Sequence, residues 1–114
     1  MKPLCELLQI TRYGMGEGDE ELGLKLIGNY LRILDEDSRL PSFIALYNSG
    51  VKLITKDSPV IEQMKKLEER GVKIIACGTC LNFYGISDEI QAGIKGTMMD
   101  IITLQTNADK VINL

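Results

Sequence analysis

Two cysteines separated by two residues, Cys77-Gly78-Thr79-Cys80, stand directly after the apolar run Val72 to Ala76. That spacing lets two thiols approach at a turn, and glycine gives the backbone the latitude a disulfide demands. Where a strand ends and a helix begins, backbone N–H groups and positive dipole charge favour thiolate, so Cys77 is placed to react. A cysteine can also serve only as a small buried hydrophobe. For Cys5, inside the apolar run Leu4-Cys5-Glu6-Leu7-Leu8, that structural role is expected. For the pair, the flexible Gly78 and polar Thr79 point instead to chemistry, with both residues candidates to line a ligand site.

The chain contains no histidine. A Ser-His-Asp triad, a Cys-His nucleophile pair and imidazole metal ligation are therefore excluded. Structural zinc sites of the cysteine type show two paired clusters, and only one pair exists here, so no metal is expected.

The elements that must position the thiols follow from hydrophobic period and punctuation. Leu4 to Ile10 is mostly apolar, lies between Pro3 and Gly14, and suits a first buried strand. Gly14-Met15-Gly16-Glu17-Gly18 forms a loop, and Asp19 caps a helix whose first turn carries Glu20 and Glu21. Leu22, Leu26, Ile27, Tyr30, Leu31 and Leu34 recur at helical spacing along one face. Ser42 to Tyr47 reads as a second strand ended by Asn48-Ser49-Gly50, and Val51 to Thr55 as irregular with helical character. Ser58-Pro59 begins a helix that Gly71 terminates, and Val72 to Ala76 is the third strand. Asp88 to Gly93 and Gly96 to Leu104 read as helical, and Lys110 to Leu114 as a final strand. Strands alternating with helices predict one α/β domain over residues 1–114: a mainly parallel sheet, helices on both faces, and functional sites at the strands' carboxyl ends.

Two further segments reach those ends. Gly16 and Gly18 permit close backbone approach to a ligand, although a turn before an acidic helix explains them equally well. Asn48 and Ser49 could hydrogen-bond a ligand, or simply form a turn. The loop lacks a P-loop's lysine and the full dinucleotide-binding glycine spacing, and no cofactor is expected. Phe83 and Tyr84 either cover the thiols or finish the core, and Met98-Met99 suits packing or a subunit contact.

With 13 basic and 16 acidic residues the chain carries a net charge of −3 and no basic cluster. Neither nucleic acid nor an anionic membrane surface is an expected partner. No run approaches transmembrane length, the amino terminus lacks a secretory cleavage pattern, and three cysteines suit a reducing compartment. A cytoplasmic location is expected.

GEGDEELG (16–23), YNSGVKL (47–53) and ACGTCLNFYG (76–85) together resemble the DsrE-like domain of the YedF family of selenium-metabolism proteins, which is related to the DsrE/TusD sulfur-relay proteins. The resemblance spans almost the whole chain and implies a DsrE-like three-layer fold. It further implies that Cys77 matches the relay cysteine that carries a persulfide, while Cys80 belongs to the YedF-like motif. YedF proteins commonly join this domain to an amino-terminal SirA/TusA-like domain, which is not found in these 114 residues. The expected function is a sulfurtransferase-like carrier. In it Cys77 accepts sulfane sulfur or selenium from a donor protein for an acceptor, and Cys80 resolves the product by forming a disulfide. The alternative is a noncatalytic binding or adaptor subunit whose cysteines shape a pocket. A homo-oligomer, dimer or trimer, is expected in either case.

Overall fold

The computed structural model describes residues 5–114; Leu4, the first residue of the expected opening strand, lies outside them. The described chain runs β1 (Glu6–Ile10), α1 (Glu20–Glu36), β2 (Phe43–Leu46), a 3-10 segment (Asn48–Ile54) and α2 (Ile61–Glu69). It continues through β3 (Lys73–Cys77), α3 (Gly78–Tyr84), a 3-10 turn (Ser87–Glu89), β4 (Ile94–Gly96), α4 (Met98–Asn107) and β5 (Lys110–Asn113). The strands form one sheet in the order β4-β3-β2-β1-β5, with every neighbouring pair parallel.

Strand order determines which face each helix covers. From β1 to β4 the chain steps in one direction, so right-handed crossovers place the first three helices on one face. The return to β5 then places α4 on the other. Alternation along the strands agrees. Leu8, Ile10, Ile44, Leu46, Ile74 and Ala76 share a core with Ile27 and Leu31 of α1 and Met64 and Leu67 of α2. On the opposite face Gln9 is 6% exposed and accepts a 2.6 Å hydrogen bond at Oε1 from Gln105 of α4. This neutral pairing satisfies a polar group held between sheet and helix.

Local chemistry explains most element boundaries. Asp19 Oδ1 accepts from the backbone N–H groups of Glu21 and Leu22 at 2.9 and 3.3 Å, capping α1 as its position requires. The stripe buried along α1 is Gly23, Ile27 and Leu31, whereas Leu22 and Leu26 of the expected apolar face turn outward. Gly23 explains the rotation. It lies against the Gly14-Met15 backbone, where Gly14 has φ +140 and a Cβ would meet the Gly23 carbonyl carbon at 2.8 Å.

Three expectations are corrected. The α2 helix begins at Ile61 rather than at Ser58-Pro59, because buried Ser58 uses its Oγ to accept from Val60 N–H at 3.1 Å and closes a turn ahead of the helix. Asp88 to Gly93 is not helical beyond a single 3-10 turn. Ile94–Gly96, partly assigned to a helix, is the edge strand β4 and pairs Ile75 with Ile94 and Cys77 with Gly96.

Candidate functional site

β3 delivers Cys77 to the carboxyl edge of the sheet as its last residue, and α3 starts at Gly78. Gly78 leaves room for the β4 backbone, since a Cβ there would stand 3.3 Å from the Gly96 carbonyl oxygen. One α3 turn then brings Cys80 beside Asn48, the residue at which β2 passes into its 3-10 segment. Asn48 adopts φ +55, a left-handed conformation that asparagine tolerates better than most residues. Its N–H points at Cys80 and donates to Sγ at 3.0 Å. Its Oδ1 accepts from Ser49 N–H at 2.9 Å and is 3.5 Å from the Tyr84 hydroxyl.

The two thiols have unlike surroundings. Cys77 is 1% exposed, and burial by itself pushes its thiol up. The N–H and thiol of Cys80 and the N–H and hydroxyl of Thr79 oppose burial and hold Cys77 below the ordinary thiol range. These donors lack the geometry of a formal capping bond, yet they lie where developing negative charge would be stabilised. Cys80 is pushed the other way. Burial raises it, the Asn48 N–H partly offsets that, and the Cys77 charge raises it further. The pair therefore ionises first at Cys77, with Cys80 holding its proton to higher pH.

Cys80, not Cys77, faces the adjoining cavity of about 300 Å³, which it lines with Tyr47, Asn48, Thr79, Phe83, Tyr84 and Met98. Phe83 and Tyr84 meet edge to face with centroids 5.3 Å apart, and Lys52 Nζ lies 4.3 Å from the Tyr84 centroid. A larger cavity of about 660 Å³ lies at the opposite, amino-terminal end of the sheet beside Glu6, Tyr30, Arg39 and Lys110, and includes none of the cysteines. Thiol chemistry therefore points to the smaller one.

Of the residues singled out in the sequence, Asn48, Thr79, Cys80, Phe83, Tyr84 and Met98 line this cavity, while Cys77 and Gly78 adjoin it in the chain without lining it. Ser49 turns away and accepts from Tyr13 N–H at 3.1 Å. Gly16 and Gly18 line a separate cavity with Arg12 and Tyr13, and their φ values of +76 and +146 identify them as loop-forming positions. Tyr47 and Lys52 were missed. Both lie within YNSGVKL (47–53) without being candidate catalytic or ligand-binding residues there, and only pairing of β2 with β3 brings their segment to the thiols. The site sits at the ends of β2 and β3, away from the β1–β5 reversal where open parallel sheets commonly bind ligands.

A parallel five-stranded α/β domain with paired thiols at its carboxyl edge defines a class of small cysteine-bearing folds. Within that class the chain belongs to the DsrE/DsrF-like family, which it matches over residues 9–114. A protein of unknown function from Methanobacterium thermoautotrophicum has a similar structure, with a TM-score of 0.70, 22% identity, and coverage of 96% of this chain and 97% of that one. The ychN protein from E. coli gives a TM-score of 0.70 at 20% identity, covering 96% of this chain and 98% of its own. A conserved protein of unknown function from Bacteroides thetaiotaomicron gives 0.68 at 16%, covering 96% and 95%. Comparison with curated proteins gives no match. Among the described residues, no helix is long and apolar enough to cross a membrane.

Proposed function

We propose that this protein carries sulfane sulfur, or selenium, on Cys77 between a donor and an acceptor protein in the cytoplasm. The observation that carries the reading is the unequal thiol pair, in which Cys77 is favoured as thiolate by Cys80 and Thr79. Membership of the DsrE/DsrF-like family, generally associated with sulfur relay, agrees with it. The Cys77 thiolate attacks the terminal sulfur of a donor persulfide, R–S–S–H, forming Cys77–S–S–H and releasing R–S⁻. No histidine base is needed where the N–H groups and hydroxyl around Cys77 favour its thiolate. Attack by Cys80 on the inner sulfur would release the cargo as hydrosulfide and leave a Cys77–Cys80 disulfide for a cellular thiol to reduce. Selenium as cargo rests on the YedF-like segments around residues 16, 47 and 76.

Treatment with a persulfide donor followed by peptide mass spectrometry tests this reading. A gain of one sulfur on Cys77, lost in Cys77→Ser, is expected; no gain on either cysteine rejects it. The second reading, a noncatalytic oligomeric binding subunit, is favoured by one observation: Ile94, Met99 and Ile102 are 63%, 76% and 54% exposed on β4 and α4. Such apolar exposure suits self-association whether or not sulfur is carried.

A further inference from the structure

We propose that Cys80 is the port through which sulfane sulfur enters and leaves, with Cys77 the interior store behind it. The inference rests on the carrier reading above and specifies its route. Cys77 is 1% exposed and does not line the cavity, whereas Cys80 is half-buried and does. A donor or acceptor thiol entering between Phe83, Tyr84 and Met98 therefore meets Cys80 first. Cys77 is the N-cap of α3 and Cys80 its third residue, one helical turn apart on the same side, so sulfur passed to either thiol is within reach of the other.

On release, the loaded Cys77 persulfide gives up its proton to water to become the anion Cys77–S–S⁻, and the proton of the Cys80 thiol then moves to its terminal sulfur. The Cys80 thiolate then attacks that protonated sulfur. The Cys80–S bond forms, the S–S bond to Cys77 breaks, and the electron pair returns to Cys77 as thiolate. The moving sulfur keeps the proton, so the step yields Cys80–S–S–H without any external oxidant or reductant. An acceptor thiolate in the cavity then takes the terminal sulfur from Cys80. Loading follows the same steps in reverse.

Two features support this direction of attack. Donors on Thr79 and Cys80 stabilise the departing Cys77 thiolate, and a more stable thiolate leaves faster. Protonation of the terminal sulfur also leaves Cys77 without the charge that opposes ionisation of Cys80, while the Asn48 N–H still favours it. Disulfide closure, by attack on the inner sulfur, becomes the discharge route when the cavity holds no acceptor.

The test compares the full wild-type chain with Cys80→Ser and Cys77→Ser, loaded either from inorganic polysulfide or from the bulkier glutathione persulfide, and discharged to glutathione. Sulfane is located by peptide mass spectrometry over time, and matching unfolding midpoints establish that both variants are folded. Wild type is expected to load from both donors, and Cys77→Ser to gain sulfane on Cys80. Cys80→Ser should load from glutathione persulfide, and discharge to glutathione, about tenfold more slowly or worse, because exchange follows access as well as ionisation. Failure of Cys80→Ser to load from polysulfide as well would extend the port role to small donors and support the proposal. Loading and discharge of Cys80→Ser at wild-type rates would overturn it, leaving Cys77 as a carrier reached directly. Absence of sulfane from both cysteines of wild type would reject carriage itself.

Discussion

Asn48 donates its backbone N–H to Cys80 Sγ over 3.0 Å, joining the end of β2 to α3 through residues 32 positions apart. The donor points that way because Asn48 has φ +55. Asn48→Gly preserves that conformation and should stay close to wild-type stability despite losing two side-chain contacts. Asn48→Val forces a β-branched residue into the left-handed region and should lower stability by roughly 1–2 kcal/mol. Urea unfolding of the two variants distinguishes backbone conformation from side-chain loss.

Thr79 supplies both an N–H and a hydroxyl that lower Cys77, so Thr79→Val removes the hydroxyl while leaving the N–H. Alkylation of Cys77 should reach half its limiting rate at a lower pH than an ordinary thiol, and Thr79→Val should move that point upward. The sign for stability agrees. A depressed thiol stabilises the fold above its unfolded value, and that contribution fades as pH falls through the folded one. Cys80 is raised and acts oppositely, so its stabilisation is lost as pH rises through its folded value. Site-resolved alkylation from pH 5 to 10 checks both directions.

Mild oxidation should join Cys77 to Cys80 and leave Cys5 reduced. Leu7, Phe43 and Lys73 share one level across three parallel strands. Cys5 lies two residues below that level and Cys77 four above it, a separation of roughly 20 Å at about 3.3 Å per residue. A disulfide spans far less. The loop it would close is very short, so it adds little stability and suits reversible exchange. Peptide mapping that found mainly Cys5 linkages would contradict the arrangement.

Two glycines should respond oppositely to alanine. A Cβ on Gly50 would collide with the Ile10 carbonyl oxygen and stand 3.3 Å from Arg12 N, so Gly50→Ala should destabilise by roughly 1–3 kcal/mol. On Gly28, inside α1, it would meet only Val60 Cγ1 at 3.7 Å. Gly28→Ala should stabilise by about 0.5–1 kcal/mol through helix propensity. Thermal unfolding compares the pair directly.

Light scattering should find a dimer or trimer across a broad concentration range. Met99→Lys with Ile102→Lys, placed on the exposed face of α4, should shift it toward monomer while leaving unfolding of the monomer near wild type. Monomer alone in the unsubstituted protein would remove the case for self-association.

The sequence revealed the elements whose pattern is local. Asp19 and the periodic α1 residues, the apolar β1 to β3 runs and Gly71 after α2 all express chemistry within a few neighbours. β4 does not. Its Ile94 and Lys95 are exposed, its length is too short for alternation to register, and only pairing with β3 makes it a strand. The Cys77 motif shows that two thiols stand together but not that they differ in exposure. Burial of one thiol and cavity exposure of the other depend on Asn48, Phe83, Tyr84 and Met98, gathered from three separate segments.

The position of β5 bears on the order in which this molecule takes shape. Gln9 of β1 and Asn113 of β5 are 104 residues apart, and their strands are adjacent only because the chain reverses across the sheet. During synthesis one edge of β1, with its wholly buried Leu7 and Leu8, has no strand beside it until β5 has emerged. Such an open edge invites pairing with other chains, and distant contacts of this kind are slow to form. The thiol cavity draws on residues 47 to 98 alone. In a growing chain the parts of the chemical site are therefore all present before the segment that closes β1, and the closing β5 protects an edge rather than building the site.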